Sequence, residues 1–302
     1  MRIGVTGASG FVGGAVCRAA VARDWQVYGF GRRPAVGPAR LGGAPYLPWD
    51  LTLGPPPPVE LDALIHCAGS VTDWGPPQEI WRANLTGTRN ALAAFPLARF
   101  VHVSTASVYD PYTPTVMAAE HEAPVRRYAN AYGASKAAAE HAVHGRAVIL
   151  RPHAVYGPGD TTLLPRLLRS VRGRALLAVG DGGQQISLTS VDNLVQACLL
   201  AVEAPTGVYN VTDREPVVLD DALRSVLRER RIDAVPRYLP YRLAHRIAAV
   251  AETVASVTGR PPRLTRYAVG HLAVERTLDI SAALDRLGYD PAPTSFEGAA
   301  SW

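Results

Sequence analysis

The sequence predicts an α/β protein built on a doubly wound parallel sheet and joined to a smaller, helix-rich domain. Short apolar runs of buried-strand length alternate with helical patterns through the first 150 residues, which is typical of a parallel sheet with helices on both faces. After Tyr156-Gly157-Pro158-Gly159 this rhythm changes. We therefore expect residues 1–160, completed by part of 186–212, to form the sheet domain. Residues 161–302 should form the smaller, substrate-binding domain.

The apolar periodicity places the individual elements. Buried strands are predicted at Arg2–Thr6, Gln26–Phe30, Asp62–Cys67, Arg99–Ser104 and Ala147–Leu150, and helices at Phe11–Ala22, Gln78–Ala94 and Ala129–Val143. Later in the chain, helices are predicted at Leu163–Val171 and Val191–Glu203, a strand at Val208–Val211 and a helix-rich tail from Asp220. A long loop, Pro111–Pro124, precedes the helix at Ala129–Val143, and long loops in compact domains are often functional.

The tail between residues 241 and 257 has apolar residues at helical spacing. They are Leu243, Ile247, Val250 and Val254. Such a stripe is typical of a helix that faces the core of its own domain, which is the interpretation that the sequence favours. A lid over an apolar substrate and a peripheral membrane contact are the alternatives.

Composition and charge narrow the class of protein. The chain has 302 residues, a mean hydropathy of +0.03 and a formal net charge of +5, which suits a globular protein with a full core. No stretch approaches 18 apolar residues, so no membrane span is predicted. The net charge is modest and the charged residues are dispersed along the sequence, so nucleic acid is not an expected partner.

The cysteines and the beginning of the chain predict a cytoplasmic protein. Cys17, Cys67 and Cys198 are scattered, with no spacing that suggests a disulfide or a metal site, so they are interpreted as buried thiols in a reducing compartment. Residues 1–5 are already strand-like, so no leader sequence is expected. A homodimer is compatible with these observations.

A glycine-rich turn follows the first predicted strand. The segment is Gly7-Ala8-Ser9-Gly10-Phe11-Val12-Gly13, and a helix begins within it. Its glycines allow a tight turn, the close approach of a pyrophosphate, and close packing of helix on strand, while the helix N-terminus supplies amides to the phosphates. A plain tight turn is the alternative. The predicted dinucleotide contacts in this segment are Gly7, Ser9, Gly10, Phe11, Val12 and Gly13.

The end of the second strand indicates which dinucleotide binds. An acidic residue there would bind the ribose of NAD and repel a 2′-phosphate. The chain instead has Gly31-Arg32-Arg33-Pro34, and guanidinium groups grip phosphates. Arg32 and Arg33 therefore favour NADP(H), with NAD(H) as the alternative. If the two arginines have no role in binding, they are simply a solvated pair at the end of a strand.

Tyr132 and Lys136 lie four residues apart on one predicted helix, and Lys136 is the only lysine of the chain. This spacing puts both side chains on one helix face. A nearby ammonium favours a phenolate, so the pair can handle a proton at neutral pH. Arginine serves everywhere else as the basic residue, which indicates that position 136 needs a compact charge. An ordinary amphipathic helix is the alternative.

Several motifs follow in order along most of the chain. They are Gly7-x-x-Gly10-x-x-Gly13, Asp50-Leu51, His66-Cys67-Ala68-Gly69, Asn84-x-x-Gly87-Thr88 and Arg151-Pro152-x-x-Val155-Tyr156-Gly157. By this series the chain resembles the extended short-chain dehydrogenase/reductase superfamily, whose cofactor domain has the Rossmann fold. The resemblance implies that Asp50 and Leu51 flank the adenine, Ala68 and Gly69 pass under the adenosine ribose, and Asn84 braces the strands beside the cofactor.

The same resemblance assigns roles near the reacting carbon. Thr105, in Ser104-Thr105-Ala106-Ser107-Val108-Tyr109, corresponds to the hydroxyl that bonds the substrate oxygen, with Ser104 as the reserve candidate and a cofactor contact. Pro152 and His153 are implied as further cofactor contacts. The resemblance thus implies that Thr105, Tyr132 and Lys136 are catalytic, in a reaction that moves a hydride to or from a carbonyl or alcohol carbon.

The substrate class depends on residues 180–193. Nucleotide-sugar epimerases and dehydratases of this superfamily have an arginine where this chain has Ile186, and an apolar side chain cannot anchor a diphosphate. Other segments, among them residues 71–75 and 209–216, resemble the 3β-hydroxysteroid dehydrogenase branch. An apolar ketone or alcohol is therefore the expected substrate. Its pocket would be lined by Trp74, Thr105, His153, Tyr156 and Ile186.

The same residues leave three other interpretations. A nucleotide-sugar epimerase or dehydratase is the main alternative, and a noncatalytic NADPH-binding regulator is a weaker one, since such proteins usually lack the Tyr–Lys pair. A metal site is not predicted, because Glu120-His121-Glu122 and His141-x-x-His144 do not assemble a credible ligand set.

Overall fold

The computed structural model describes the backbone of residues 1–302 and every side chain except that of Leu272. The strands are β1 Arg2–Thr6, β2 Gln26–Gly31, β3 Tyr46–Pro48, β4 Ala63–His66, β5 Arg99–Val103, β6 Thr115–Ala118, β7 Ala147–Pro152, β8 Val155–Tyr156, β9 Val171–Arg172, β10 Ala175–Val179, β11 Gln185–Ile186, β12 Thr189–Ser190, β13 Gly207–Val211, β14 Val217–Val218, β15 Val235–Leu239 and β16 Arg276–Leu278. The helices are α1 Phe11–Val21, α2 Pro77–Trp81, α3 Gly87–Ala94, α4 Ala131–Val143, α5 Leu163–Leu168, α6 Val191–Leu200, α7 Leu219–Glu229, α8 Tyr241–Thr258, α9 Arg266–Leu272 and α10 Ser281–Leu287.

One parallel sheet of seven strands, in the order β13-β7-β5-β4-β1-β2-β3, organises the first part of the chain. The chain moves outward from β1 to β3, then crosses back to β4 and moves outward on the other side. This reversal makes a crevice beyond the carboxyl ends of β1 and β4, where open α/β sheets bind ligands. The predicted doubly wound parallel sheet is confirmed.

Helices cover both faces of this sheet. On one face, α1 packs against β1 and β2, and α6 packs against β7 and β13, through fully buried residues such as Val16 and Leu194. On the other face, α3 and α4 contribute Leu92 and Val143 to a second apolar cluster. Since both faces are covered, the central strands are mostly apolar, which explains why they form short apolar runs in the sequence.

Several predicted elements differ from those observed. The helix predicted at Gln78–Ala94 is interrupted by a π-helical turn at Arg82–Thr86, and the predicted loop Pro111–Pro124 contains β6. The tail from Asp220 also holds two strands that it was not expected to hold, β15 and β16. These strands pair with partners distant in the sequence, so local periodicity does not reveal them.

The chain returns to the main sheet after leaving it. The strand β13 pairs with β7 at the edge of the seven-stranded sheet, and α6 packs on α1. The smaller unit is built on two further sheets, β15-β10-β9 and β14-β11-β16-β6. It is therefore less purely helical than the sequence predicts.

The helix predicted around residues 241–257 is present as α8, but the face with the large apolar residues points outward and not, as the favoured prediction has it, toward the core. Its buried residues are Ala244, Ala248 and Ala255. Its large apolar residues, Leu243, Ile247, Val250, Val254 and Val257, are between 45% and 84% exposed. The prediction that this stripe faces the core is wrong, because small side chains let α8 approach the domain and the large ones point away from it.

A buried carboxylate ties the smaller unit to the end of the main sheet. Asp213, which follows β13 and is 1% exposed, accepts hydrogen bonds from the backbone amide of Ser190, Asn193 Nδ2, Tyr156 Oη and Thr294 Oγ1, all at 2.7–2.8 Å. These donors come from distant parts of the sequence. One anion therefore satisfies four polar groups that would otherwise be unpaired.

We expect Asp213→Ala to lower the free energy of unfolding by at least about 3 kcal/mol, because the substitution leaves buried donors without an acceptor. Tyr156→Phe removes one donor and keeps the acceptor, so it should cost only about 1 kcal/mol. Chemical denaturation of both variants measures the difference. Equal losses would show that Asp213 does not act as a common acceptor.

Candidate active site

The glycine-rich turn between β1 and α1 is shaped by close backbone contacts. Gly7 has a φ of +69°, which L-amino acids other than glycine rarely adopt. A Cβ atom at Gly13 would lie 2.4 Å from the Gly7 carbonyl oxygen, so only glycine lets α1 pack this closely on the turn. The first residue before α1, Gly10, has no side chain to cap the helix amides. This cradle fits a pyrophosphate, as the sequence predicts.

In the predicted dinucleotide site, the end that would hold the adenosine lies beside Ser9. Gly31 borders Ser9 Oγ and Tyr46 Oη, so a Cβ atom there would contact both within 3.2 Å. Arg32 and Arg33 follow on the surface with exposed side chains. Sequence reasoning missed Arg40, whose Nε donates to the Ser9 carbonyl oxygen at 3.0 Å. Nothing in its local sequence distinguishes Arg40 from the other arginines.

Asp50 and Leu51 lie at the end of β3, on the same side of the sheet. The amide and hydroxyl of Thr52 both donate to Asp50 Oδ1 at 2.8 Å. These bonds lower the pKa of Asp50, with a smaller contribution from Arg32. The Leu51 carbonyl accepts from Asn90. The two residues are thus fixed near Arg32, where the resemblance expects the adenine.

Asn84 braces the segment after β4, as expected. Its Oδ1 accepts from the Ser70 amide at 2.7 Å, and its Nδ2 donates to the Ser70 carbonyl and to Ser135 Oγ. Gly69 is required beside it, because a Cβ there would meet Asn84 Oδ1 at 2.9 Å. Asn84 therefore connects the Ala68–Gly69 segment to α4. It lies in the π-helical turn, a distortion often found at functional sites.

Four hydroxyl side chains form a series of neighbours at the centre of the site. Burial raises the pKa of the Tyr132 phenol, and its hydrogen bond with Thr105 partly lowers it again. Thr105 Oγ1 donates to Ser107 Oγ at 3.1 Å, and Ser107 Oγ lies 2.5 Å from Tyr267 Oη. Thr105 Oγ1 also caps the turn Ala106–Val108 by accepting from the Ser107 amide.

Gly133 allows this arrangement. A Cβ atom at Gly133 would lie 2.7 Å from the Ser107 carbonyl oxygen, so a larger residue would push α4 away from the turn that carries Thr105. Asn130 caps the helix by accepting from the Gly133 amide at 3.1 Å. Tyr132 is thereby held at the first turn of α4, facing the end of β5.

Lys136 follows one turn later and is 5% exposed. Its Nζ donates to the Val103 carbonyl oxygen at 2.7 Å and lies 3.4 Å from His102 Nε2. Burial lowers the pKa of Lys136 to about 8. The ammonium has no carboxylate partner among the described ion pairs, and the nearby Glu140 binds Arg151 instead.

Ser104 does not present its hydroxyl to the site. It donates to Glu140 Oε1 at 2.5 Å, and Glu140 in turn forms a buried ion pair with Arg151, with Nη2 2.7 Å from Oε2. The implied role of Ser104 as a reserve catalytic hydroxyl or a cofactor contact does not agree with this arrangement. Its hydroxyl is committed to a network that holds α4 on β5 and β7.

Two of the predicted pocket residues are part of the core of the smaller unit. Ile186 is 6% exposed and packs with Leu176 and Leu219. Tyr156 is 3% exposed and donates to Asp213. Neither reaches an open site, because β8 and β11 face the interior of the smaller unit. Trp74 is half-buried in the loop after β4.

His153 lies beside the site, next to Pro152 at the buried end of β7. The Ser187 carbonyl lies 2.6 Å from His153 Nδ1, and burial lowers the pKa of His153 to about 4. Its ring is 6.1 Å from that of His271, which packs at 4.3 Å on Tyr267. His153 is thus neutral at physiological pH and adjoins the wall formed by α9.

Sequence reasoning missed this wall. Tyr267 and His271 lie on α9, far along the chain from Tyr132, yet the Tyr267 ring meets the Tyr132 ring edge to face at 6.5 Å. The start of α9 is fastened to the loop after β4, where Thr265 Oγ1 donates to Asp73 Oδ2 at 2.6 Å. No periodicity or motif of the tail signals this position.

The doubly wound parallel sheet and its glycine-rich turn are typical of the class of dinucleotide-binding proteins. Residues 3–212 match the NAD dependent epimerase/dehydratase family. The chain belongs to that family. It is 30% identical to the 2-alkyl-3-oxoalkanoate reductase of Stenotrophomonas maltophilia (strain K279a), covering 99% of this chain and 97% of the relative.

Other comparisons agree on the fold and the class. A 4-hydroxy-2-methyl-3-oxo-4-farnesyl-3,4-dihydroquinoline-1-oxide ketoreductase of Stigmatella aurantiaca is 34% identical over 99% of this chain and 94% of the relative. The 3beta-hydroxysteroid-dehydrogenase/decarboxylase isoform 2 of Arabidopsis thaliana is 26% identical over 78% of this chain and 47% of the relative. The crystal structure of UDP-glucuronic acid 4-epimerase from Bacillus cereus in complex with NAD, 22% identical, has a TM-score of 0.73 over 100% of this chain and 97% of that one.

These findings confirm the predicted superfamily and the 3β-hydroxysteroid dehydrogenase-like branch. The protein is an NAD(P)-dependent oxidoreductase. Among the residues that the structure describes, no group of three or more His, Cys, Asp or Glu could hold a metal ion. None of the described helices has the length and apolar character needed to cross a bilayer.

The buried ammonium of Lys136 should lower the stability of the fold. Because its pKa in the folded state is about 8, below the unfolded value of 10.5, the charged lysine destabilises the folded state fully below pH 8. This penalty disappears as the pH rises toward 10.5. We therefore expect Lys136→Met to raise the free energy of unfolding by about 2 kcal/mol at pH 7 and by less at pH 10.

Chemical denaturation at pH 7 and pH 10 tests this prediction. The control is Arg89→Met, at an exposed position, which should change the free energy of unfolding at neither pH. A gain for Lys136→Met that stayed constant with pH would assign the effect to packing rather than to charge.

Proposed function

We propose that this protein is an NADPH-dependent ketoreductase for apolar ketones, with Thr105, Tyr132 and Lys136 as its catalytic set. The observation that supports this most directly is the position of the half-buried Tyr132 phenol, whose pKa burial raises and the nearby Thr105 hydroxyl partly lowers. This pair lies at the carboxyl end of β5, with Lys136 one helical turn further along. The crevice at the point where the strand order of the sheet reverses lies beside this pair. The glycine turn borders the same crevice.

The state of Tyr132 favours reduction. Burial raises the pKa of the phenol, so it stays protonated at neutral pH and can donate a proton to an alkoxide. Thr105 adds a second donor beside the same oxygen if its hydroxyl turns from Ser107 toward the substrate. Both donors would then stabilise negative charge that develops on the carbonyl oxygen.

The bound dinucleotide would supply the hydride. The chain's own groups would hold it: the backbone of Gly7–Gly13 at the pyrophosphate, Asp50 and Leu51 at the adenine, and Ala68 and Gly69 at the adenosine ribose. Lys136 would leave the Val103 carbonyl to donate to ribose hydroxyls while its charge favours proton release from Tyr132 on oxidation. His153 and Pro152 would border the nicotinamide end.

The substrate class rests on the residue at one position, Ile186, and on the relatives. Ile186 occupies the position where nucleotide-sugar enzymes have an arginine, and it is buried among apolar residues. Relatives over the whole chain are named as reductases of 3-oxo compounds that carry alkyl or farnesyl chains. For this protein we propose a 3-oxo compound with a long apolar chain. Tyr267 and His271 would line its pocket in place of Tyr156 and Ile186.

Replacing Tyr132 by Phe should lower kcat for ketone reduction at least about 100-fold, because the proton donor is removed, while the Kd for NADPH changes little. NADPH consumption with alkyl 3-oxo compounds measures this. Tyr112→Phe, at a side chain that is 62% exposed, is the matched control and should behave as wild type. Full turnover by Tyr132→Phe would refute the proposed catalytic set.

The arginines beyond β2 should select NADP(H). We expect Arg32→Ser/Arg33→Ser to raise the Kd for NADPH at least about 10-fold by removing partners of the 2′-phosphate, and to leave the Kd for NADH unchanged. Fluorescence titration of the reduced nicotinamide measures both constants. Arg89→Ser, an exposed arginine on α3, is the control. An equal loss for NADH and NADPH would contradict a role in phosphate selection.

A further inference from the structure

The outer face of α8 is an exposed apolar surface. Its five large residues, Leu243, Ile247, Val250, Val254 and Val257, fall within an arc of about 80° on a helix of 3.6 residues per turn. Val250 is 65% exposed and Val257 is 84% exposed. We call these five residues the α8 stripe. A continuous apolar surface of this kind marks an interaction site.

The stripe is distinct from the face that stabilises the fold. Ala244 and Ala248 pack with Val179 and Val269 on the inner side. On a third side, Glu252 accepts hydrogen bonds from the backbone amide and Nε of Arg266, both at 2.7 Å, which joins α8 to the start of α9. Every contact that α8 needs for its own position is therefore made away from the stripe.

Positive charge is concentrated around this surface. Residues 234–274 contain six arginines and one acidic residue, Glu252, so their formal charge of +5 equals that of the entire chain. Arginine therefore outnumbers acidic residues within this segment, which Asp233 and Glu275 border on either side. Arg242, Arg246, Arg260 and Arg263 are exposed. None of these four appears among the ion pairs of the side chains that the structure describes.

We propose that the α8 stripe docks on the surface of an anionic lipid bilayer. Apolar side chains flanked by arginines are the composition of helices that lie in the membrane interface. The apolar residues would enter the acyl boundary, and Arg242 and Arg246 would bind lipid phosphates from the border of the stripe. A neutral apolar partner would gain nothing from the arginines, and a second copy would bring a face of the same positive charge against this one.

The packing of α8 on α9 gives docking a use. The helix α9 lies under α8 and places Tyr267 against Tyr132 and Ser107. A ketone dissolved in the bilayer would therefore meet the active site directly behind the docked surface. This use rests on the proposed function, whereas the docking itself does not.

Sedimentation with lipid vesicles tests the proposal. The full chain should co-sediment with vesicles of phosphatidylglycerol and phosphatidylcholine in equal parts, bind vesicles of phosphatidylcholine alone at least about 10-fold more weakly, and lose affinity as salt is raised. Val250→Glu/Val254→Glu should abolish binding. Leu97→Glu, at a side chain that is 97% exposed in the loop before β5, is the matched control and should bind as wild type.

A second pair of variants separates local charge from net charge. Arg242→Gln/Arg246→Gln should weaken binding to the anionic vesicles at least about 10-fold, since each arginine near such a surface contributes about fivefold. Arg169→Gln/Arg228→Gln removes the same net charge from exposed positions elsewhere and should have a small effect. Equal losses in both pairs would overturn the assignment to α8.

Two further outcomes would overturn the proposal. Wild-type protein that stays in the supernatant with anionic vesicles would refute docking. A protein that ignores vesicles but forms a dimer, dissociated by Val250→Glu/Val254→Glu in light scattering, would assign the stripe to a second copy. Reduction of a short, water-soluble 3-oxo compound should be unchanged in all four variants, which keeps a failure of docking distinct from a failure of the proposed function.

Discussion

A buried ion pair between Glu140 and Arg151 fixes the geometry on which the site depends. Both side chains are at most 4% exposed, and two of the Arg151 nitrogens bond Glu140. Glu140 also binds Ser104, while Arg151 donates to the carbonyls of Glu120 and Ala123. Breaking such a pair leaves an uncompensated charge, so it specifies one arrangement of its neighbours even where it adds little net stability. Here those neighbours are α4, the end of β5 and the segment before α4.

This pairing also determines the electrostatic state of Lys136. Because Glu140 is committed to Arg151, the lysine one turn earlier on α4 has only neutral partners, the Val103 carbonyl and His102 Nε2. Its ammonium is therefore poorly compensated, and its pKa falls to about 8. The folded protein therefore keeps a destabilising charge at the centre of the crevice, which is common in active sites. A second donor, the half-buried Tyr132, precedes it by one turn of α4 in its protonated form.

The smaller unit completes the site with residues whose local sequences carry no sign of that role. Tyr267 reaches the hydroxyl series through a helix of seven residues whose start is fixed by Asp73. In the same unit, the large side chains of α8 point outward. Alanines on its inner face allow close packing against Val179 and Val269, so burial there needs no large residue. Helical spacing alone cannot distinguish an inner apolar face from an outer one, because both repeat every 3.6 residues.

The sequence by itself determined the parallel sheet, the glycine turn, the Tyr132–Lys136 pair and the family, because these depend on spacing within one or two neighbouring elements. Gly7, Gly13, Asn84 and Thr105 were predicted and lie together at one edge of the sheet. Only the tertiary structure decided that Ser104 serves Glu140, that Tyr156 and Ile186 belong to the core, and that Tyr267 enters the site. It also decided that the α8 stripe is exposed. These outcomes depend on which distant side chain supplies each hydrogen bond or covers each apolar face, and no local pattern encodes that choice.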